Sequence, residues 1–236
     1  MNATLRLGAV LTALALVSCA ALHPVHPPAT GGAAVSGGLS AAELLAAVQR
    51  DADGIDQSTD SAQRSALLVA ATASARQCLA QFPAAAACAY AQAQVQGLTA
   101  RATPLAAPSL LKEMLASLTK VEAQDPGLDH AGPARLSAIV LLRAPPWPLG
   151  PGDVDAAVTA AQRAVKREPT YPPNLIALGQ AQAKAVGTAA ARATFASAQQ
   201  AVQAWTGAMT SDQPAAVAAD RARWQLQVEQ GLHDLQ

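Results

Sequence analysis

Three prolines, Pro83, Pro126 and Pro169, recur at a spacing of 43 residues, and each closes a stretch that reads as helix. Counting back 12, 8 and 5 residues from each gives Ala71, Ala75 and Cys78, then Met114, Leu118 and Val121, then Ala157, Ala161 and Ala164. A fourth set, Ala191, Phe195 and Ala198, begins 34 residues after the third. Positions spaced by four and three share one face of an α-helix. Most of these side chains are small, so the faces are built for close helix–helix approach. A chain that repeats this device is an array of packed helices. Composition agrees: alanine supplies about a quarter of the residues and aromatics 3%, and alanine loses no side-chain entropy in a helix. The fold class read from the sequence is all-α, built from antiparallel helix pairs.

Caps and breakers place the elements. Ser40-Ala-Ala-Glu43 is a capping box that opens a helix running to about residue 53. Further helices are predicted at about 60–82, 84–100, 107–124, 131–143, 153–168, 174–186, 188–208 and 213–234, with Gly or Pro at most junctions. Asp153 stands immediately before an apolar-periodic run and is predicted to be an N-cap.

The N-terminus is of another kind. Arg6 is followed by the apolar run LGAVLTALALV and then Ser18-Cys19, the layout of a secretory signal too short to span a bilayer comfortably. Leu16-Val17-Ser18-Cys19 resembles the bacterial lipobox. That resemblance implies cleavage before Cys19, diacylation of its thiol and acylation of the new N-terminus. Ala20 at the second mature position favours the outer membrane over the inner. Residues 20–38, rich in Pro and Gly and without charge, read as a flexible tether, and His23 and His26 within it as linker residues. The domains are therefore 1–18 signal peptide, 19–38 lipidated cysteine and tether, and 39–236 helical domain.

Removing Arg6 with the signal leaves 15 basic residues against 16 acidic, so no nucleic-acid footprint is present. Cys78 and Cys88 lie five residues to either side of Pro83. If Pro83 turns a helical hairpin, the two thiols face each other, and in an oxidising periplasm a structural disulfide is expected. The alternative is a pair of buried thiols packed as small apolar residues.

The small-residue faces resemble the second helix of tetratricopeptide repeats (TPR). Ala191-x3-Phe195-x2-Ala198 matches that helix, Leu178-Gly179 resembles a first-helix pair, and 34 residues is the family's period. The 43-residue steps, Gln203 in place of a closing proline, and alanine at most aromatic positions depart from the pattern. Over 129–200, Gly132-Pro133, Arg143 to Pro148, Gly152-Asp153 and Pro169 to Pro172 resemble, in order, a group of bacterial repeat lipoproteins. That group includes proteins similar to the T component of TRAP-type transporters, which implies a periplasmic helical lipoprotein handling hydrophobic ligands.

The loop RAPPWPLGPGD, residues 143–153, lacks a phosphate-binding pattern and any nucleophile or base of the Ser, Cys or His kind. Trp147, Pro148 and Asp153 are its candidate binding or structural residues. Trp147 is expected to cover the end of a helix pair, the alternative being that it lines a groove. Asp125, Asp129 and His130 cluster about Pro126 and read as polar turn chemistry rather than an acid/base or metal site. Trp205, Val217, Trp224, Val228 and Leu235 form a stripe expected to cap the array, or to meet a partner. No catalytic constellation, metal site or cofactor is assigned. The expected function is a non-catalytic, membrane-anchored periplasmic adaptor for protein or peptide partners. The alternative is a TRAP-associated carrier of a small hydrophobic ligand.

Overall fold

The computed structural model describes residues 38–207 and 214–236. The signal, Cys19 and the tether up to residue 37 lie outside the described residues. Gly38–Gln236 is one compact unit. Among the described residues it is all-helical: α1 (Ala41–Gln57), α2 (Ser61–Gln81), α3 (Ala86–Ala102), α4 (Ala107–Gln124), α5 (Leu128–Arg143), α6 (Val154–Arg167), α7 (Pro172–Ala185), α8 (Thr188–Ala204) and α9 (Pro214–His233). A short 3-10 turn, Pro104–Ala106, precedes α4.

Local chemistry sets these limits. Ser40 Oγ accepts from the Glu43 amide at 3.2 Å while Glu43 Oε2 accepts from the Ser40 amide at 2.7 Å, the reciprocal box that satisfies two orphan donors. Asp60 caps α2 through the Ala62 amide, and Asp153 caps α6 through the Ala156 amide, both at 2.9 Å. Each such cap stabilises its helix by about 1 kcal/mol. Pro83, Pro126 and Pro169 follow the ends of α2, α4 and α6, because a proline disfavours helical backbone in the residue before it. Three limits differ from the sequence reading by three residues or more, one being α5, which opens at Leu128 before the predicted residue 131. The first helix continues to Gln57, and α8 stops at Ala204, which frees Trp205 from the helix.

Packing follows chain order. Each odd helix packs on the even helix after it, and successive pairs join through α2·α3, α4·α5, α6·α7 and α8·α9. Odd helices also touch the next odd helix, whereas among the described residues even helices do not touch one another. Odd helices thus form an inner layer and even helices an outer one. All twelve residues of the four repeated faces are buried. The core runs as a string of clusters: Val48, Tyr90, Met114, Leu118 and Val121 early in the chain; Ala138, Leu142, Ala161 and Leu178 in the middle; Leu175, Phe195, Trp224 and Val228 at the end. Trp224 and Val228 of the C-terminal stripe are buried here, with Trp205 and Leu235 packed beside them.

Phe195 is held where α7, α8 and α9 meet. A Cβ on Gly179 would stand 3.0 Å from its ring, and one on Gly231 would overlap it. Cys78 and Cys88 are joined by a disulfide, with Cα atoms 5.2 Å apart and both residues fully buried beside Leu44 and Phe82. It staples α2 to α3 across the Pro83 turn. None of the helices among the described residues is long and apolar enough to cross a membrane.

Candidate functional site

The inner layer, with part of α4, borders a cavity of about 1080 Å³ that is broadly open to solvent, lined by α1, α3, α4, α5, α7 and α9. One wall is apolar, with Leu98, Leu111, Met114, Leu136, Ile139 and Ile176. The rim is polar: Gln49, Gln94, Gln180 and Gln227 stand among Asp53, Asp56, Arg101, Arg143, Asp220 and Arg223. Three ion pairs tie this rim together. Arg101 meets Asp56 at 2.7 Å, and Arg223 meets both Asp53 at 2.7 Å and Asp220 at 2.8 Å. The Arg223–Asp53 pair joins the last helix to the first, although their backbones do not pack. Burial raises the Asp220 pKa; Arg223 opposes the shift and Asp53 adds to it.

The floor is a buried polar hub. Asp129 Oδ2 accepts from the Tyr90 hydroxyl at 2.7 Å and from Arg135 Nη2 at 2.8 Å. Arg135 Nη1 donates to the carbonyls of Asp129 and His130 and to Asn174 Oδ1, at 3.1, 3.0 and 3.0 Å. Asn174 Nδ2 then donates to the carbonyls of His130, Ala164 and Glu168. One guanidinium and one amide therefore lock together α5, α6 and α7, and the Tyr90 hydroxyl adds α3. Tyr90 and Asn174 are fully buried and Arg135 is 8% exposed, so the contacts replace a hydration shell that these groups have lost.

The backbone beneath the hub is strained. Asp129, His130 and Ala131 are left-handed, with φ of 51°, 52° and 60°, a region that costs L-residues about 1–2 kcal/mol each. The turn points the carbonyls of Asp129 and His130 at Arg135, and the captured carbonyls hold it in place. Gly132 is required beside it, since a Cβ there would occupy the position of the Tyr90 hydroxyl. The polar turn expected around Pro126 is therefore much more than loop chemistry.

An aromatic cluster adjoins the hub. His130 stacks on Tyr171 with centroids 4.3 Å apart, Tyr171 meets Trp205 and Trp224 edge-on at 5.5 and 5.7 Å, and Arg135 lies 5.1 Å over the Tyr171 ring. Such pairs contribute about 0.5–1.5 kcal/mol each beyond area burial. Burial pushes the Tyr171 hydroxyl up to about 12. Burial, and next the Asp129 charge, hold Tyr90 well above the usual range.

The structure corrects the reading of the 143–153 loop. Trp147 is 85% exposed and Leu149 71% exposed. Trp147 therefore covers no helix end, and it is absent from the cavity lining. Pro148 is exposed beside it. The physical reason is that the loop closes on its own backbone: the Gly152 amide donates to the Pro145 carbonyl at 2.8 Å and the Asp153 amide to Leu141 at 2.9 Å. A Cβ on Gly152 would collide with the Ala144 carbonyl. With the corner sealed by peptide groups, the indole is left outside. Asp153 does cap α6.

The hub members Tyr90, Arg135 and Asn174 were missed by sequence reasoning. Arg135 within GPARLSAIVLL and Asn174 within NLIALG were the available signals, as lone polar residues in otherwise apolar helix. Among the described residues, no group of three or more His, Cys, Asp or Glu is placed to hold a metal. His130 is engaged with Tyr171, and His233 is exposed beside Asp234 at the C-terminus. The polar atoms of the hub are turned onto one another and onto backbone carbonyls, so the hub positions helices and gives the cavity a rigid floor. No protein-family profile matches the chain, and no curated protein matches it significantly.

Proposed function

We propose that the chain is a TPR-like solenoid lipoprotein, anchored to the outer membrane through acylated Cys19 and facing the periplasm. It acts there without catalysis as an adaptor that holds a protein or peptide segment. The observation that carries this reading is the cavity: about 1080 Å³, with an apolar wall and a rim of glutamine, arginine and aspartate side chains. Such a rim satisfies main-chain amides, while the wall takes an apolar side chain. The Cys78–Cys88 disulfide is consistent with an oxidising compartment.

The second reading, a carrier of a small hydrophobic ligand working with a TRAP-type transporter, is supported by the strip Leu98, Leu111, Met114 and Ile139 on that wall. One comparison separates the two. Ile139 is half-buried at the cavity surface, so Ile139→Arg should block the cavity while leaving the melting curve close to wild type. The adaptor reading expects a defined periplasmic protein to be captured by the wild-type chain and lost with Ile139→Arg. Purified protein carrying a stoichiometric small apolar ligand by native mass spectrometry, with no protein partner, would overturn it in favour of the carrier.

A further inference from the structure

Consecutive helices pack on each other across short connections. They therefore run antiparallel, and their turns alternate between two edges of the stack. The ends of α1, α3, α5 and α7 share one edge. Arg101, at the end of α3, pairs with Asp56 at the end of α1, and Lys184 Nζ, at the end of α7, donates to the Leu142 carbonyl at the end of α5. The two edges differ in kind. Of the seven large hydrophobic residues left strongly exposed among the described residues, four (Leu105, Trp147, Leu149 and Val186) stand in three successive turns of this edge. Each of these turns opens on a cation: Arg101, Arg143 or Lys184. The carboxylates of this edge are Asp56, paired with Arg101, and Asp60 and Asp153, which cap α2 and α6; none lies within 102–112, 144–152 or 185–204. Among the described residues the opposite turns carry Asp125 and Glu168 and none of the exposed large hydrophobics.

Cations at helix C-termini have a general use against the helix dipole, which accounts for Arg101, Arg143 and Lys184 but not for the apolar tips beside them. Isolated exposed apolar residues need no explanation, whereas four gathered on one edge do. We propose that this edge, led by Trp147 and Leu149, docks on the surface of a phospholipid bilayer containing anionic lipid. Indole rings settle at the headgroup level, where one side is apolar and the other wet. Basic side chains behind them meet the phosphates. Projecting apolar tips on separate turns, with Arg143 and Lys184 behind them, suit a fluid surface that demands no shape match.

The proposal rests on the lipid anchor put forward above. From Cys19 to Gly38 the chain spans roughly 60 Å at full extension, against about 25 Å for the length of α1. An anchored chain can therefore present either edge to the bilayer.

The test uses the full lipidated chain in vesicles of phosphatidylethanolamine and phosphatidylglycerol, with and without brominated acyl chains. Docking is expected to give tryptophan emission that brominated lipid quenches, and that quenchable component is lost in Trp147→Phe. Because Trp147 is exposed, this variant should keep the wild-type melting curve. Trp147→Ser with Leu149→Ser should leave the remaining tryptophans unquenched. Trp147 emission untouched by bromine, and open to acrylamide, would overturn the proposal. So would shielding of Trp147 in native membranes but not in protein-free vesicles, which would assign the edge to a protein. Labelled palmitate separates the two readings. If Cys19 takes no label, the anchor reading fails and docking falls with it; if it is labelled but Trp147 is not quenched, docking alone is overturned.

Discussion

Two turns of this molecule exchange the roles that their sequences advertise. The 143–153 loop is conspicuous, with four prolines and a tryptophan, yet its apolar tip stands in solvent. The 125–131 turn is plain, yet it carries three left-handed residues and the floor of the cavity. The difference lies in where each turn sends its peptide groups. The loop satisfies its own, whereas the turn offers its carbonyls to side chains from neighbouring pairs, so that breaking it is felt in four helices.

The comparison is sharpest in Arg135→Ala. It removes the partner of Asp129 and the donor to two strained carbonyls, and loss of about 3–5 kcal/mol is expected, the usual cost of breaking a buried pair. In a unit of this size each kcal/mol lowers Tm by about 2–4 °C, so thermal unfolding followed by circular dichroism reads it directly. Arg135→Lys should not rescue, because one ammonium cannot reproduce the guanidinium fork. Next, Gly132→Ala should cost about 1–3 kcal/mol by displacing the Tyr90 hydroxyl from Asp129. An unchanged denaturation midpoint would show that the Tyr90–Asp129 bond is dispensable.

A third expectation concerns alkali. Tyr90 and Tyr171 are the only two tyrosines, and folding raises the pKa of both. Below the ordinary phenol value of about 10 both states of the chain hold these protons. Above it the unfolded chain releases protons that the folded chain keeps, so stability falls as pH climbs from about 10 towards 12. Absorbance at alkaline pH should show both phenols ionising late, and Tyr171→Phe should weaken the fall in stability. The smallest effect belongs to the other turn: Trp147→Ser should change stability by no more than about 0.5 kcal/mol, as exposed substitutions do. A larger loss would mean that the indole packs after all.

Much of the fold was legible because helices announce themselves locally. Ser40 and Asp153 are capping residues in sequence and in structure, and the three closing prolines needed no tertiary information. The faces from Ala71 to Ala198 were legible because burial follows helical period. The hub was not, since Tyr90 and Asp129, like Arg135 and Asn174, are 39 residues apart, and single polar residues have no period. Left-handed backbone at Asp129, His130 and Ala131 was equally silent, because glycine normally marks such positions. Trp147 misled for a related reason. Large aromatic residues are usually covered, and only the backbone closure at Gly152 shows why this one need not be.

Asn174 has a consequence for how the molecule comes apart. An array in which each helix touches only its near neighbours tends to melt piecemeal from its ends. Arg135 and Asn174 bind α5, α6 and α7 into one knot, and Tyr90 adds α3. Amide hydrogens around that knot should therefore exchange together and last, with α1 and α9 opening well before them. The buried amide thus sets the size of the cooperative unit, making the centre of the array the part that holds while its two ends breathe.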